Sequence, residues 1–204
     1  MLKHSPLGIL RTQAQAPAFK GQPSLLLSVT SDYDWLYDDS GSGAYGDVGL
    51  WRPKVANPAY FIVGDYAQGN HGYPTGSALI VTAINDDPQN PLLKAPLDFI
   101  LIWNDRHSGG THDGSIWRPK APEGYLALGD LGASGHGTPD LTNYRCIRKD
   151  LVVDSEAGTK IWDDTHSGAY MDVAIYQLLG VSGAFVAQGN HNPYSGPCHK
   201  LAGK

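Results

Sequence analysis

The chain has 204 residues, with 15 basic and 20 acidic side chains and a formal net charge of −5. No run of basic residues is present, which disfavours nucleic-acid binding by phosphate neutralisation and electrostatic attachment to anionic lipid. The 25 glycines and 14 prolines separate short apolar segments, a composition typical of many short strands joined by tight turns.

The segment 1–22 is polar and interrupted by proline, and we predict that it is an irregular arm. It has no apolar stretch long enough for a signal peptide or a transmembrane helix. We therefore expect a cytoplasmic protein, or one released without a signal peptide. Residues Ser24 to Thr30 predict the first strand, and residues 23–204 are predicted to form a single β domain.

One sequence unit recurs three times, over about 32–85, 97–153 and 159–201. Each unit has a polar pair, a Ser-Gly dipeptide and a later aspartate, followed by an aromatic residue. The polar pairs are Asp38-Asp39, Asn104-Asp105 and Asp163-Asp164, and the later aspartates are Asp47, Asp113 and Asp172. Such spacings are improbable by chance, so any function should be interpreted on a threefold symmetry.

Each unit predicts four short strands and no helix. Three four-stranded sheets that each bury one face are expected to pack around a common axis as a β-prism. A β-trefoil and a β-sandwich are the alternatives. One ambiguity concerns the alignment of the third unit: the pentapeptide at 67–71 is identical to that at 187–191, and aligning the two shifts the predicted third strand.

The acidic segments are a candidate calcium site, because carboxylates near a Ser-Gly turn offer hard oxygen ligands. The alternative is structural, with aspartates that cap backbone N–H groups, and we favour it because the spacing lacks the dense alternation of calcium loops. The candidate ligands are the eight aspartates of the repeats, Asp38, Asp39, Asp47, Asp105, Asp113, Asp163, Asp164 and Asp172.

Glycine-rich loops later in each unit are a second candidate site. They carry amide, imidazole and phenol groups, which are suitable partners for sugar hydroxyls, although ordinary turns would explain them equally well. The candidate ligand-binding residues are Asn70, His71, Tyr73, His136, Asn190, His191 and Tyr194. The aromatic residues Trp103 and Trp162 are predicted to be core. Cys146 and Cys198 could form a disulfide or remain reduced, and we favour reduced thiols.

The middle unit resembles a known family. The run Trp117 to Asp130 (WRPKAPEGYLALGD), followed by Pro139 and Tyr144 to Leu151, is similar to the vacuolar protein sorting-associated protein 62 family, which includes a plant group of unknown function. The similarity covers about 32–187. It implies a connection to vacuolar trafficking, but no family catalytic residue to carry over. Threefold β-prisms also occur in plant lectins and in membrane-targeting parts of bacterial toxins, an analogy of fold alone.

No signature of an enzyme is present, and a threefold repeat favours multivalent recognition over a single asymmetric active site. The leading prediction is a non-enzymatic recognition module that binds a glycan or a membrane-surface receptor through loops, without a required cofactor and with oligomerisation open. The alternatives are a toxin or defence protein that acts on host membranes and a trafficking adaptor that binds peptides.

Overall fold

A computed structural model describes residues 21–139 and 142–203, and within these ranges the regular structure is β apart from one 3₁₀ turn at Lys149–Leu151. Residues 1–20 of the predicted arm lie outside the described part. The strands are β1 (Ser24–Thr30), β2 (Tyr33–Asp38), β3 (Gly49–Pro53), β4 (Phe61–Ile62), β5 (Tyr66–Gln68), β6 (Ala78–Ile84), β7 (Leu93–Lys94), β8 (Asp98–Asn104), β9 (Gly114–Lys120), β10 (Tyr125–Leu126), β11 (Leu131–Ser134), β12 (Cys146–Arg148), β13 (Val152–Ser155), β14 (Ala157–Asp163), β15 (Ala174–Leu178), β16 (Phe185–Gln188) and β17 (Cys198–Leu201).

Three antiparallel sheets have the same construction, one from each repeat. They are β2-β3-β5, β8-β9-β11 and β14-β15-β16, and we call the repeats unit 1, unit 2 and unit 3. The first strand of each sheet has a register shift of one residue at the equivalent position, which leaves Leu36, Ile102 and Ile161 unpaired. Such a bulge sharpens the local twist and redirects the side chains that follow it. The bulge is therefore a structural feature that all three repeats share.

The prediction of four-stranded units is wrong. The strand predicted at 60–65 is limited to Phe61–Ile62, and it pairs with β6 rather than with the β2-β3-β5 sheet. The same division occurs in unit 2, where β10 pairs with β12. The structure therefore has three sheets that share the central core, which we call the inner sheets, and three outer sheets with strand orders β1-β6-β4, β10-β12-β7 and β13-β17. Glycine at Gly64 and Gly129 precedes the change of sheet in the first two units.

The inner-sheet pairing also resolves the alignment ambiguity of unit 3. Ala67 lies opposite Leu50, and Ala187 lies opposite Ile175 in the corresponding pair of strands. The identical pentapeptides are therefore structurally equivalent. The competing alignment of residues 185–190 with 60–65 and 125–130 is wrong, because unit 3 lacks the additional strand that precedes Asp65 and Asp130.

The aromatic residue that follows the bulge in each inner sheet packs into a common core. Trp103 is fully buried, and its ring meets Tyr37 and Trp162 edge-on, at centroid distances of 5.8 and 5.7 Å. The prediction that Trp103 and Trp162 are core residues is confirmed. Gly114 has to be glycine here, since a Cβ would lie 2.2 Å from the Tyr37 ring.

The three units join in a closed cycle through one repeated backbone hydrogen bond. The N–H of Thr111 in unit 2 donates to the carbonyl of Ser40 in unit 1 at 2.8 Å. The equivalent bonds run from Tyr170 in unit 3 to Arg106 in unit 2, at 3.0 Å, and from Tyr45 in unit 1 to Thr165 in unit 3, at 3.1 Å. We call the three boundaries seam 1–2, seam 2–3 and seam 3–1.

An ion pair with a buried aspartate forms hydrogen bonds across each of the first two seams. In unit 1, Arg52 binds both carboxylate oxygens of Asp65 at 3.0 and 2.8 Å, and both side chains bond the backbone of Gly132 in unit 2. In unit 2, Arg118 and Asp130 do the same to Ala187 of unit 3.

Among the residues that the structure describes, seam 3–1 has no such pair. By strand register its equivalent positions are Gln177 and the buried Phe185. A cleft of about 510 Å³ opens at this place, lined by Gln177, Tyr66 and Ala67 among others. An arginine–aspartate ion pair thus stabilises each of the two seams between units adjacent in sequence. The seam that closes the cycle lacks this pair at the equivalent positions.

The two cysteines are free, buried thiols, as the sequence favoured. Cys146 on β12 has no exposed surface, and burial raises the pKa of its thiol to about 12 despite the opposing charge of Arg145. Because the thiolate is the reactive form, neither solvent access nor ionisation favours reaction in the folded protein.

Candidate binding face

The acidic turns and the histidine loops, which the sequence presented as two separate candidates, meet in the structure. In each unit a histidine Nε2 lies against a buried aspartate oxygen. The pairs are His71 with Asp39 Oδ1 at 2.7 Å, His136 with Asp105 Oδ1 at 2.6 Å, and His191 with Asp164 Oδ1 at 2.6 Å. Each histidine therefore ties its glycine-rich loop to the acidic turn of the same unit. We call the surface formed by these turns and loops the loop face.

The buried aspartate of each unit accepts several hydrogen bonds that stabilise its turn. Asp39 accepts a hydrogen bond from the backbone N–H of Val48 at 2.8 Å and one from the Ser42 hydroxyl at 3.4 Å. Asp105 and Asp164 have equivalent partners. Asp164 also accepts a bond from Trp103 Nε1 at 2.9 Å, which connects the turn to the aromatic core. These contacts favour the structural role that the sequence suggested for the paired acids.

The first member of each polar pair has a local role. Asp38, Asn104 and Asp163 each accept a hydrogen bond from the backbone N–H two residues later, at 3.1, 3.3 and 3.2 Å. This is the Asx turn expected of such residues, and asparagine serves as well as aspartate because the carbonyl oxygen is the acceptor. The glycines of the Ser-Gly dipeptides have positive φ at Gly43, Gly109 and Gly168, as their residue type suggested.

The later aspartates complete three similar groups. Asp47, Asp113 and Asp172 are largely exposed, with oxygens 3.9 to 4.0 Å from the histidine Nε2 of their unit. Each group of two aspartates and one histidine has its ligand atoms within 4.8 Å of one another. The groups suit Ca²⁺ poorly, because the ion prefers six to eight oxygen ligands and each group offers one nitrogen, one exposed carboxylate and one carboxylate already engaged by amide and hydroxyl donors. We expect added Ca²⁺ to leave the melting temperature unchanged, as measured by differential scanning fluorimetry; a rise that grows with Ca²⁺ concentration would contradict this.

The charge state of His71 depends on its acidic neighbours. Burial disfavours the charged imidazole, but the hydrogen bond to Asp39 and the charges of Asp39, Asp47 and Asp38 outweigh it and raise the pKa of His71. A folded pKa above that of the unfolded chain means that protonation stabilises the folded state.

The resulting pH dependence can be measured with His71→Gln. We expect the stability difference between wild type and variant to be largest below about pH 6.5 and to shrink as the pH rises through the raised pKa. The difference should stay below about 1 kcal/mol, because His71 is partly exposed. Urea denaturation between about pH 5.5 and 8.5 tests it. A difference that is constant or grows with pH would show that Asp39 does not hold the imidazolium.

Several predicted ligand residues already have hydrogen-bond partners within the protein. The side-chain oxygen of Asn70 accepts bonds from Gln68 and from the N–H of Gly72, and Asn190 has the equivalent contacts. Tyr73 Oη accepts the N–H of Tyr33 at 2.8 Å. Tyr194 packs against Tyr176, and its hydroxyl lies 3.4 Å from Arg118. The use of these residues as ligands remains a prediction. In Asn70 and Asn190, the side-chain amide nitrogens are the groups that would contact a ligand.

Two exposed tyrosines on the loop face were not singled out from the sequence. Tyr45 of unit 1 stacks on His166 of unit 3 at a centroid distance of 4.1 Å, and Tyr170 of unit 3 stacks on His107 of unit 2 at 3.6 Å. Both histidines have left-handed backbone, with φ of 71° and 72°. Non-glycine residues rarely adopt this conformation. A pattern search could have found the tyrosines, since each follows a Ser-Gly dipeptide by two residues.

The described ranges contain no helix with the length and apolarity that crossing a bilayer requires.

Comparison with known proteins supports the resemblance seen in the sequence. No curated protein matches the chain. A solved structure, "Crystal structure of GNIP1Aa from Chromobacterium piscinae", is similar with a TM-score of 0.71 and 33% identity, over 84% of this chain and 34% of that one. The chain thus spans about a third of the length of that protein. The family model described as vacuolar protein sorting-associated protein 62 matches residues 27–191, most of the chain. The chain therefore belongs to the vacuolar protein sorting-associated protein 62 family.

Proposed function

We propose that this protein is a non-enzymatic recognition module that binds a glycan, or another target at a membrane surface, through its loop face. We also propose that the three inner sheets form the sides of a β-prism, so that the loops of all three units emerge at one end. The observation that carries the proposal is the threefold Asp–His pairing, which fixes three polar loops on a rigid β scaffold. Loops held in this way lose little conformational freedom on binding.

The proposal that the protein is not an enzyme rests on how the reactive groups are used. The serine hydroxyls of the Ser-Gly dipeptides donate to buried aspartates, and they accept backbone N–H groups two residues later, as Ser42 does from Ala44. The histidine Nε2 atoms contact aspartates, and the serine that lies 3.2 Å from His71 Nδ1 is Ser40, which is outside the Ser-Gly dipeptides. A nucleophile requires a base within hydrogen-bond reach of its hydroxyl. The buried serines have an aspartate rather than a histidine as this partner, and burial keeps their hydroxyls from a substrate in solvent.

A glycan array and a liposome flotation assay test the proposal together. We expect binding to a restricted set of printed glycans, or co-flotation with vesicles that carry a glycolipid. Silence in both assays at high protein concentration would contradict the proposal. Vesicles of anionic lipid alone should not capture the protein, because the repeats concentrate aspartates on the loop face.

A second candidate is a targeting part of a toxin or defence protein that acts on host membranes. The observation that favours it is the match to about a third of a longer chain, which indicates that this β module occurs joined to other segments. Dye release from vesicles would support a pore-forming role, and no leakage with any lipid would remove it. A vacuolar trafficking adaptor that binds peptides, as the family description suggests, is a further candidate that pull-down with sorting proteins would test.

A further inference from the structure

We infer that seam 3–1 contains a binding cleft for a neutral sugar ring, formed by Tyr45 and Asp47 of unit 1 and Lys160 of unit 3. The cleft has a volume of about 430 Å³ and is also lined by Gly69, Asp163 and Thr165. This volume is within the range of small-molecule sites. The inference deepens the proposed function and rests on it, since it assigns one glycan site to one place on the loop face.

The cleft exists because seam 3–1 lacks side chains that fill the same place at the other seams. The residue before the later aspartate of each unit is Gly46, His112 or Met171. At seam 1–2, His112 packs on the ring of Trp35 at a centroid distance of 4.8 Å. At seam 2–3, Met171 is half-buried against the central core. At seam 3–1 the corresponding residue is Gly46, and the strand register places Lys160 where unit 1 has Trp35.

The groups in the cleft match the chemistry of a sugar. The Tyr45 side chain is 76% exposed, while its stack on His166 and its backbone bond to Thr165 fix the ring in position. A ring presented in this way offers a flat apolar face to the C–H groups of a pyranose. Asp47 is 63% and Lys160 47% exposed, and they supply an acceptor and a donor. Sugar hydroxyls both donate and accept, so a site with both kinds of group suits them.

Charge argues against other small ligands. Lys160 pairs with Asp163, and Asp47 adds a second carboxylate. Two carboxylates disfavour a phosphate or an acidic sugar, and the ammonium disfavours a quaternary amine that the Tyr45 ring would otherwise attract. A neutral ring that hydrogen-bonds to groups of both signs remains the best match.

Substitutions copied from the other units test the cleft with small risk to the fold. Gly46→Met introduces the residue that unit 3 has at this position, and its Cβ would meet Trp162 at an ordinary contact distance of 3.7 Å. Tyr45→Thr introduces the residue of unit 2, which removes the ring and keeps the backbone bond to Thr165. Tyr170→Thr makes the same side-chain change at seam 2–3 and is the matched control.

The probes are printed neutral hexose and N-acetylhexosamine glycans, followed by titration calorimetry with the best of them. We expect Gly46→Met and Tyr45→Thr each to weaken binding by about tenfold or more and Tyr170→Thr to leave it unchanged, with melting temperatures near that of wild type. If wild type binds these glycans and the two seam 3–1 variants bind equally well, the cleft is not the site although the proposed function holds. If wild type binds none of these glycans, the cleft inference is overturned, and the proposed function is overturned with it only if the liposome flotation assay is also silent.

Discussion

Replacing Arg52 by methionine is expected to lower the free energy of unfolding by about 3–5 kcal/mol. Asp65 has no exposed surface, and Arg52 supplies two of its hydrogen bonds and the charge that balances it. Burial raises the pKa of Asp65, while Arg52 opposes that rise. Without the guanidinium the carboxylate stays in the interior with the N–H of Gly132 as its remaining partner. Urea denaturation at neutral pH measures the loss.

Matched variants separate the buried charge from the loss of side-chain packing. Gln177→Met changes the equivalent position of unit 3, which is exposed, and is expected to change stability by less than about 0.5 kcal/mol. The loss in Arg52→Met should be smaller at about pH 4 than at pH 7, because the unpaired Asp65 takes up a proton as the pH falls through its raised pKa. A loss below about 1 kcal/mol at neutral pH would show that this ion pair does not brace seam 1–2.

Replacing Trp103 by alanine is expected to be at least as damaging, with a loss of about 3–5 kcal/mol from the cavity. Its ring lies between Tyr37 of unit 1 and Trp162 of unit 3, so the substitution removes the contact that joins all three units. Asp164 also loses the Nε1–H donor, which leaves a buried carboxylate with fewer partners.

A second substitution separates the effect of the cavity from that of the lost Nε1–H donor. Trp103→Phe keeps most of the ring and removes the Nε1–H donor, and we expect it to cost about 1–3 kcal/mol. Trp35→Ala, at a tryptophan that is 38% exposed, is the control and should cost below about 1 kcal/mol. Chemical denaturation followed by circular dichroism measures all three. If Trp103→Ala were no worse than Trp35→Ala, the common aromatic core would not be what holds the units together.

The sequence predicted the repeat and the all-β class because both depend on local patterns. The polar pair, the Ser-Gly dipeptide and the later aspartate recur at nearly fixed spacings, so aligning Asp39 with Asp105 and Asp164 requires no structure. The strand at Ser24–Thr30 and the burial of Trp103 follow from short apolar runs in the same way. Sheet membership was harder, because the strands at 61–62 and 125–126 leave the inner sheet, and hydrophobic pattern does not specify a partner.

The Asp–His pairing could not be predicted in the same way, because the two residues are not separated by a fixed number of positions. The histidine follows its aspartate by 32, 31 and 27 residues in the three units, because the intervening loops differ in length. Contacts between units are less predictable still. Gly46 leaves a cleft at seam 3–1, whereas His112 fills the equivalent space at seam 1–2. This difference depends on which neighbouring unit each turn contacts, and that follows only from the closed cycle of units.

The most direct test of this account is native-state hydrogen exchange at the three equivalent amides that close the cycle. Seam 3–1 lacks both the ion pair and the filling side chain of the other seams, so it should open most readily. After correction for intrinsic rates, we expect the amide of Tyr45 to exchange faster than those of Thr111 and Tyr170. Protection of Tyr45 equal to or greater than that of the other two would contradict the claim that the seam closing the cycle is the open one.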